Sequence, residues 1–322
     1  MTFGAVAIGR NEGARLGRCL ASMPAGVPVV YVDSGSGDGS VDRARELGAS
    51  VVELDLTVPF TAARARNAGY ERLIAVAPRI EFVLFLDGDC QLARAWPATA
   101  IAFLHERPEV AAVAGRRREQ DPQRSVYNWL CDREWDRPPG EAAELGGDMM
   151  VRLTALCAVG GYRDDLIAGE EPELCVRLRA AGWRVWRLDE EMTTHDADMT
   201  RFGQWWRRTV RSGYAYAQGH YLHGAGPARH YAWEYRRAWL WGLVLPLACL
   251  GLALVFWPLG WLSLLIYPLQ VLRQTLRQTG PLADRATIAL FQMLARFAEA
   301  AGQLRFLRDR LLGRQARLIE YK

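Results

Sequence analysis

The 322 residues predict an α/β fold with a mainly parallel, helix-covered sheet, followed by a membrane hairpin and amphipathic helices at the C-terminus. Three observations carry that expectation. Short apolar runs alternate with helical patterns over residues 4 to 87, the arrangement of a parallel sheet with helices on its faces. The net charge of +4 is unevenly divided: residues 201 to 322 hold 17 Arg and Lys against 5 Asp and Glu, which leaves the first 200 residues at −8. Between Arg237 and Arg273 lie 35 residues without a charge.

"GAVAI" (4 to 8) reads as a buried strand, followed by a polar turn and the helix "ARLGRCLASM", whose Leu16, Cys19, Leu20 and Met23 share one face. "VPVVYVD" is the next strand and "GSVDRARELGA" its helix, closing at Gly48. "SVVELDL" is a third strand, "TAARARNAGYERLIAVA" a helix, and "EFVLFLD" a strand again. Ligands of such sheets bind beyond the strand C-termini, where Asn11, Asp33 and Asp87 fall. After residue 110 the pattern is irregular: "VAAVAGRRRE", an aromatic and charged stretch to 139, then "ELGGDMMVRLTALCAVGGY". A helix from Pro172 to Ala181 and a short strand, "WRVWRL", follow. There is no internal repeat and no low-complexity linker.

One straight helix over the uncharged 35 residues would overshoot a bilayer, which takes roughly 20 apolar residues at about 1.5 Å each. "WPLG" (257 to 260) offers a break, so 238–271 reads as a transmembrane or re-entrant helical hairpin, with Pro246 and Pro268 bending its arms. A buried hairpin of a soluble protein is the competing reading. Arginines at both ends place both on the cytoplasmic side. Residues 201 to 237 are rich in Trp, Tyr and Arg, a composition suited to the bilayer interface, and 283 to 318 reads as a basic amphipathic helix within a tail over 272–322. "MTFGAVAIGRNE" lacks the basic start and long apolar run of a signal peptide, so a cytoplasmic N-terminal domain is expected. The six cysteines (19, 90, 131, 157, 175, 249) show no C-x-x-C spacing, which points to free thiols rather than zinc or disulfides.

Four stretches carry candidate chemistry. "VLFLDGDC" (83 to 90) ends a buried strand in Asp87 and Asp89; ionised, these suit Mg²⁺ or Mn²⁺ beside a phosphate. A nucleophilic aspartate, as in haloacid-dehalogenase-like phosphatases, and a plain polar turn are the alternatives. "VDSGSGDGS" (32 to 40) is a glycine-rich turn after a strand, able to cradle phosphate through backbone N–H groups or to contact a nucleoside through Asp33. "GEEPELCVRLRAAGW" (169 to 183) sets Glu170 and Glu171 before a helix-starting Pro172, where a positioned carboxylate can act as general base or simply suit the helix dipole. "TTHDAD" (193 to 198) holds His195 just after the short strand; beside Asp89 it would suit Mn²⁺ better than Mg²⁺.

These signals, in this order, resemble a family 2 glycosyltransferase of GT-A fold, over residues 4 to about 225. "AIGRNE" matches the family's first strand and Asn-Glu turn, "VDSGSGDGS" its nucleotide loop, and "ARNAG" (65 to 69) the segment before the D-x-D strand. "FLDGDC" matches the D-x-D, "GGDMMVR" and "VGGY" the acceptor-side segment, and "GEEPELCVRLRAAGW" the E-D helix.

The resemblance implies a domain over 1–235, its nucleotide-binding half at about 1–110 and its acceptor half at about 111–235. It implies nucleotide contacts from Asn11, Glu12, Asp33, Arg66 and Asp87, with Asp33 at the base or ribose and Arg66 near the diphosphate. Metal ligation falls to Asp89 and His195, with Asp87 near metal or ribose, and acceptor contacts to Gly146, Gly147 and Asp148. Glu171 stands where the family commonly has an aspartate base, with Glu170 the neighbouring candidate. Processive members have Q-x-x-R-W, whereas "QWWRR" puts Arg208 in the Trp position. A single-addition, inverting, metal-dependent enzyme is therefore implied. Its donor would be a nucleotide-diphosphate sugar, UDP by family frequency, and its acceptor a lipid-linked or other glycan hydroxyl. The setting implied is bacterial exopolysaccharide or glycolipid assembly at the inner membrane, with the catalytic domain facing the cytoplasm. Nucleic acid is not an expected partner. An inactive membrane-anchored nucleotide-sugar-binding scaffold and the phosphatase remain as alternatives.

Overall fold

The computed structural model describes residues 2–314 and 317–320; of the tail expected over 272–322, residues 315, 316, 321 and 322 lie outside the described residues. The chain divides into two compact units, Met1–Thr200 and Arg201–Lys322. That division falls ahead of residue 235, where the sequence pattern places the end of the first domain.

The first unit opens with β1 (Phe3–Gly9), α1 (Ala14–Ala21), β2 (Val29–Asp33), α2 (Ser40–Glu46), β3 (Ser50–Glu53), α3 (Ala62–Val76) and β4 (Phe82–Asp87). It continues with β5 (Cys90–Leu92), α4 (Trp96–Glu106), β6 (Val110–Glu119), α5 (Val126–Trp135) and β7 (Gly140–Glu141). β8 (Met149–Arg152), α6 (Leu153–Ala158), α7 (Glu170–Ala180) and β9 (Arg184–His195) complete it. One sheet runs in the order β3-β2-β1-β4-β8-β6-β9-β5, with β7 on β9. β1, β2, β3 and β4 are parallel to their neighbours among themselves; β8 is antiparallel to both β4 and β6, and β9 is parallel to β6 and antiparallel to β5.

Helices cover both faces of the parallel half, so its strands are apolar throughout rather than alternating: Phe82 to Leu86 are all buried. Register then fixes the site. Gly9 pairs with Asp33 and Ile8 with Asp87, so both carboxylates leave the sheet at one edge beside the end of β1. Thr61 caps α3 by accepting from Arg64 N at 3.1 Å, which starts the helix that carries Arg66.

Two strands exceed the sequence expectation. β6 is a continuous ten-residue strand, bulged against β9, where the sequence pattern shows no clear strand. β9 runs on from "WRVWRL" through His195, because its charged half pairs with Arg116 to Glu119 on one side and with Cys90 to Leu92 on the other. His195 is thus the end of a strand rather than part of the turn after it. Helix α7 begins at Glu170, two residues before Pro172, after Gly169 at φ 77°, a conformation glycine adopts without steric cost.

The second unit is helical: α8 (Phe202–His223), α9 (Ala232–Trp239), a π-helical turn (Leu240–Val244), α10 (Leu245–Val255), a 3₁₀ stretch (Leu259–Leu265), α11 (Ile266–Arg277) and α12 (Leu282–Leu311). Ala232–Val255 is the one helix among the described residues long and apolar enough to cross a membrane, with a mean hydropathy of 2.1 over its most apolar 18 residues. The chain turns at Phe256 to Pro258 and the second arm returns along the first. Tyr267 Oη donates to Trp241 O at 3.0 Å, and Gly260 packs so closely on Leu252 and Ala253 that a Cβ has no room.

Helix α12 runs along this unit with one side packed inward, eleven of its thirty residues being buried. Small residues bring α8 onto it: a Cβ at Gly213 would strike the Glu299 backbone, and one at Gly302 the carbonyl of Val210.

Candidate active site

At the end of β4, Asp87 leaves the sheet between two guanidinium groups. Oδ1 is 3.0 Å from Arg66 Nη2, and Oδ2 is 3.3 Å from Arg117 Nη2. Burial opposes its charge, but the two arginines outweigh that and hold its carboxyl below the usual range. Arg66, itself buried, also contacts Glu170 Oε1 at 2.9 Å through Nη1 and Glu171 Oε1 at 2.8 Å through Nη2. One arginine on α3 therefore ties the D-x-D strand to the start of α7, over a sequence distance of about a hundred residues.

The two glutamates are inequivalent. Glu171 shares Nη2 of Arg66 with Asp87, while Glu170 is held on Nη1. Burial pushes the Glu171 carboxyl up to about 8; Arg66 opposes this, and Glu170 and Asp87 add to it. Gly147 closes the space between these groups. A Cβ there would meet Arg66 Nη2 at 2.8 Å, Asp87 Oδ2 at 3.1 Å and Glu171 Oε1 at 3.3 Å. Gly146 next to it faces open space.

Asp89 and His195 form the second part of the site. Both are buried, and Nε2 of His195 lies 3.3 Å from Asp89 Oδ1. Ligand atoms of Asp87, Asp89, Cys90 and His195 all lie within 4.8 Å of one another. A carboxylate-imidazole set of this kind fits Mn²⁺. Asp89 and His195 fit it best, since both oxygens of Asp87 already face arginine and burial pushes the Cys90 thiol well above its ordinary range.

Nδ1 of His195 faces Glu119 Oε2 at 3.8 Å and has no hydrogen-bond partner of its own. Glu119 is buried and fixed by Asn128 Nδ2 at 3.0 Å and Ala197 N at 3.1 Å. Burial works against an imidazolium, but Asp89 and Glu119 on opposite sides of the ring raise the His195 pKa above its ordinary value. Trp135 covers this edge, its ring 4.9 Å from that of His195 and 5.4 Å from the Arg117 guanidinium carbon.

Asp148 lies beneath the site, where it is buried and accepts from Asp87 N at 3.1 Å, Arg117 Nε at 2.9 Å and Thr193 Oγ1 at 2.7 Å. It braces Asp87 and Arg117. Asp33 is likewise buried: its carboxylate accepts from Gly35 N and Ser36 N, each at 2.8 Å, and from Tyr31 Oη at 2.9 Å, which fixes the glycine-rich loop. Asn11, at φ 57°, ties its own turn to that loop, its Oδ1 accepting from Gly37 N at 2.8 Å and its backbone N–H donating to Ser36 Oγ at 2.8 Å. Glu12 pairs with Arg15 at 3.0 Å.

Arg117 and Glu119 are absent from the residues that sequence reasoning singled out. A signal existed: in "GRRRE", a strand's period of two sends Arg117 and Glu119 to one face and Arg116 and Arg118 to the other. Arg116 indeed pairs with Asp132 and Arg118 with Glu191, while Arg117 pairs with Asp87 and Asp148.

Strand order, the carboxylates at the sheet edge and the acidic start of α7 define a GT-A fold, the fold of nucleotide-diphospho-sugar transferases. Residues 7–150, a little under half of the chain, match the model for Glycosyl transferase family 2. Its fold is similar to that of the mannosyltransferase PcManGT from Pyrobaculum calidifontis, solved with GDP-Man and Mn²⁺. The TM-score is 0.58, with 19% identity, over 95% of this chain and 87% of that one. S. aureus TarS gives a TM-score of 0.51 at 15% identity, over 94% of this chain and 54% of that one. TarS 1-349 in complex with UDP gives 0.50 at 16% identity, over 98% and 92%. At such identities the likeness is one of fold. The succinoglycan biosynthesis protein ExoA of Rhizobium meliloti (strain 1021) is 41% identical over 51 residues, and the match spans only 16% of either chain.

Proposed function

We propose that the protein is an inverting glycosyltransferase that moves a sugar from a nucleotide-diphosphate donor, UDP-linked by family frequency, to a hydroxyl of a membrane lipid-linked or glycan acceptor. The observation that carries this reading is the tie from Arg66 to Asp87, Glu170 and Glu171. It puts fixed positive charge and a candidate base side by side at the edge where such sheets bind ligands. The likeness to structures solved with GDP-Man and Mn²⁺ or with UDP supports the donor class, and the ExoA match supports polysaccharide assembly.

Asp89 and His195 would hold Mn²⁺ or Mg²⁺, with Asp87 adjoining. When bound, the ion supplies positive charge against the donor diphosphate. The chain's own groups do the rest. Arg66 adds a guanidinium for the departing diphosphate, a fixed electrostatic contribution of the kind that dominates many active sites. Glu171 takes the proton of the acceptor hydroxyl as that oxygen bonds to the anomeric carbon, and the bond from that carbon to the diphosphate oxygen breaks. The nucleoside diphosphate leaves with the bonding pair. Gly147 lets the chain approach Arg66, Asp87 and Glu171 closely, and alignment of the acceptor lowers the entropic barrier.

A nucleophilic Asp87, as in a phosphatase, is disfavoured by the arginines on both of its oxygens. A binding scaffold without activity is disfavoured by the intact Asp89, His195 and Glu171, with the Asp89–His195 pair and the Arg66-held carboxylate both fixed at the site. For the setting, we infer a bacterial inner membrane with the site on the cytoplasmic side and the 238–271 hairpin as anchor. Exposed apolar side chains at its turn support this, among them Leu254, Phe256, Trp257 and Leu259.

A screen of purified protein against nucleotide sugars, with a lipid-phosphate or glycan acceptor, tests the activity. Release of nucleoside diphosphate together with a glycosylated acceptor is expected. Release of inorganic phosphate alone, or no turnover with any donor, would remove this reading.

A further inference from the structure

Helix α11 (Ile266–Arg277) leaves a leucine stripe uncovered. Its more buried side carries Tyr267, whose ring lies 5.7 Å from that of Phe297 on α12, with the half-buried Gln270, Val271 and Gln274 and the buried Thr275, whose Oγ1 bonds back to Val271 O at 2.9 Å. Its outward side carries Leu269, Leu272 and Leu276, which are 61%, 53% and 67% exposed. The spacing i, i+3, i+7 sets those three leucines in one stripe. A helix packed in a soluble protein turns such a stripe inward, because exposed leucines forfeit burial. Arg273 and Arg277, both exposed, stand one turn apart beside the stripe.

We propose that α11 lies in the plane of an anionic membrane leaflet, with Leu269, Leu272 and Leu276 at the headgroup-acyl boundary and Arg273 and Arg277 at lipid phosphates. A leucine stripe edged by arginine is the pattern of helices that lie in the interface. Continuity points the same way, since the first turns of α11, residues 266 to 271, close the apolar hairpin, and Tyr267 Oη holds them to Trp241 O of the opposite arm at 3.0 Å. The two arginines complement anionic headgroups. This contact adds to the hairpin anchor and rests on the membrane reading above. It assigns the lipid-facing role to 266–277, whereas the long basic helix α12 packs one side inward.

Spin labels placed one at a time through Leu259→Cys, Leu272→Cys, Leu276→Cys and Arg273→Cys test it. The background is the full chain with Cys157→Ser, Cys157 being the exposed cysteine. The protein is reconstituted in vesicles of phosphatidylcholine and phosphatidylglycerol, and collisions with oxygen and with a water-soluble nickel chelate are compared. Labels at 272 and 276 are expected to favour oxygen several-fold over the label at 273. In a parallel arm, Arg273→Gln with Arg277→Gln should abolish the preference for vesicles containing phosphatidylglycerol over phosphatidylcholine alone.

Nickel access at 272 and 276 equal to that at 273, with the label at 259 in lipid, would overturn the role of α11 and leave the hairpin. All four labels in water would overturn the membrane reading as well. Spin–spin broadening at 272 and 276 that survives dilution into excess lipid would mean that a second copy of the chain covers the leucines, and would overturn the proposal too. None of these outcomes bears on sugar transfer, which is scored separately.

Discussion

Glu171 Oε1 lies 2.8 Å from Nη2 of Arg66, yet its carboxyl is pushed up to about 8. Burial and the carboxylates of Glu170 and Asp87 outweigh that ion pair. A base must be deprotonated to act, so kcat/KM, which reports the free enzyme, should rise with pH and level off above about 8. Glu171→Gln keeps the shape but cannot take a proton, and should lower transfer by at least about 10²-fold while nucleotide still binds. If Glu170→Gln is the inactive variant and Glu171→Gln turns over normally, the base is Glu170.

The same shift has a consequence for stability. A carboxyl raised from 4.5 to about 8 retains a proton in the folded chain that the unfolded chain has released, so its contribution to stability falls as pH rises across that window. Glu171→Gln has no proton to lose. Its melting temperature relative to the wild type should shift upward between pH 5 and pH 8 in thermal scans. A constant difference across that range would mean that Glu171 titrates like an ordinary carboxylate.

Glu119 faces Nδ1 of His195 while Asp89 faces Nε2. A carboxylate behind a ligand histidine fixes the ring, and losing one typically costs about 10- to 100-fold in metal affinity. Glu119→Gln should therefore weaken Mn²⁺ binding by that order, read by titration of the ion alone, with the fold intact by circular dichroism. Unchanged affinity would leave Glu119 with a purely structural role at Asn128 and Ala197.

Gly147→Ala puts a methyl group 2.8 Å from Arg66 Nη2 and 3.1 Å from Asp87 Oδ2. The crowding falls on the site rather than the core, so activity should drop by an order of magnitude or more while the melting temperature changes little. Gly146→Ala, with nothing nearby, is the control and should retain activity.

All the candidate site residues precede Arg201, the first residue of the second compact unit. Residues 1–200 alone should bind nucleotide in the presence of Mn²⁺. Cutting at 237 instead leaves α8 without α12, on which it packs through Gly213 and Gly302, and should give aggregating protein by light scattering.

The parallel half of the sheet was legible in the sequence because its strands are unbroken apolar runs and its turns carry glycine and aspartate. Asp87, Asp89 and Glu171 were legible for the same reason: each is a charge next to an apolar element that fixes it. The second half of the sheet was not, because Arg116 to Glu119 and Asp189 to His195 are charged strands paired with one another, and charge reads as loop. Arg117 and Glu119 were missed with them. Asp148 reads as a surface aspartate beside two glycines, and only the register of β8 against β4 shows that it points under Asp87. In the second unit, hydropathy located the hairpin, but α12 has the basic composition of a surface helix and an interior of small residues that only packing reveals.

The most direct test is calorimetric titration of UDP and of GDP into the full chain with Mn²⁺ and with EDTA, for the wild type and for Asp89→Asn. One of the nucleotides should bind the wild type with Mn²⁺, with affinity lost by at least about tenfold in EDTA and in Asp89→Asn even with Mn²⁺, since losing a ligand should cost no less than losing a group behind one. Equal affinity with and without the ion, or an Asp89→Asn variant that binds like the wild type, would contradict a metal-assisted nucleotide site at Asp89 and His195.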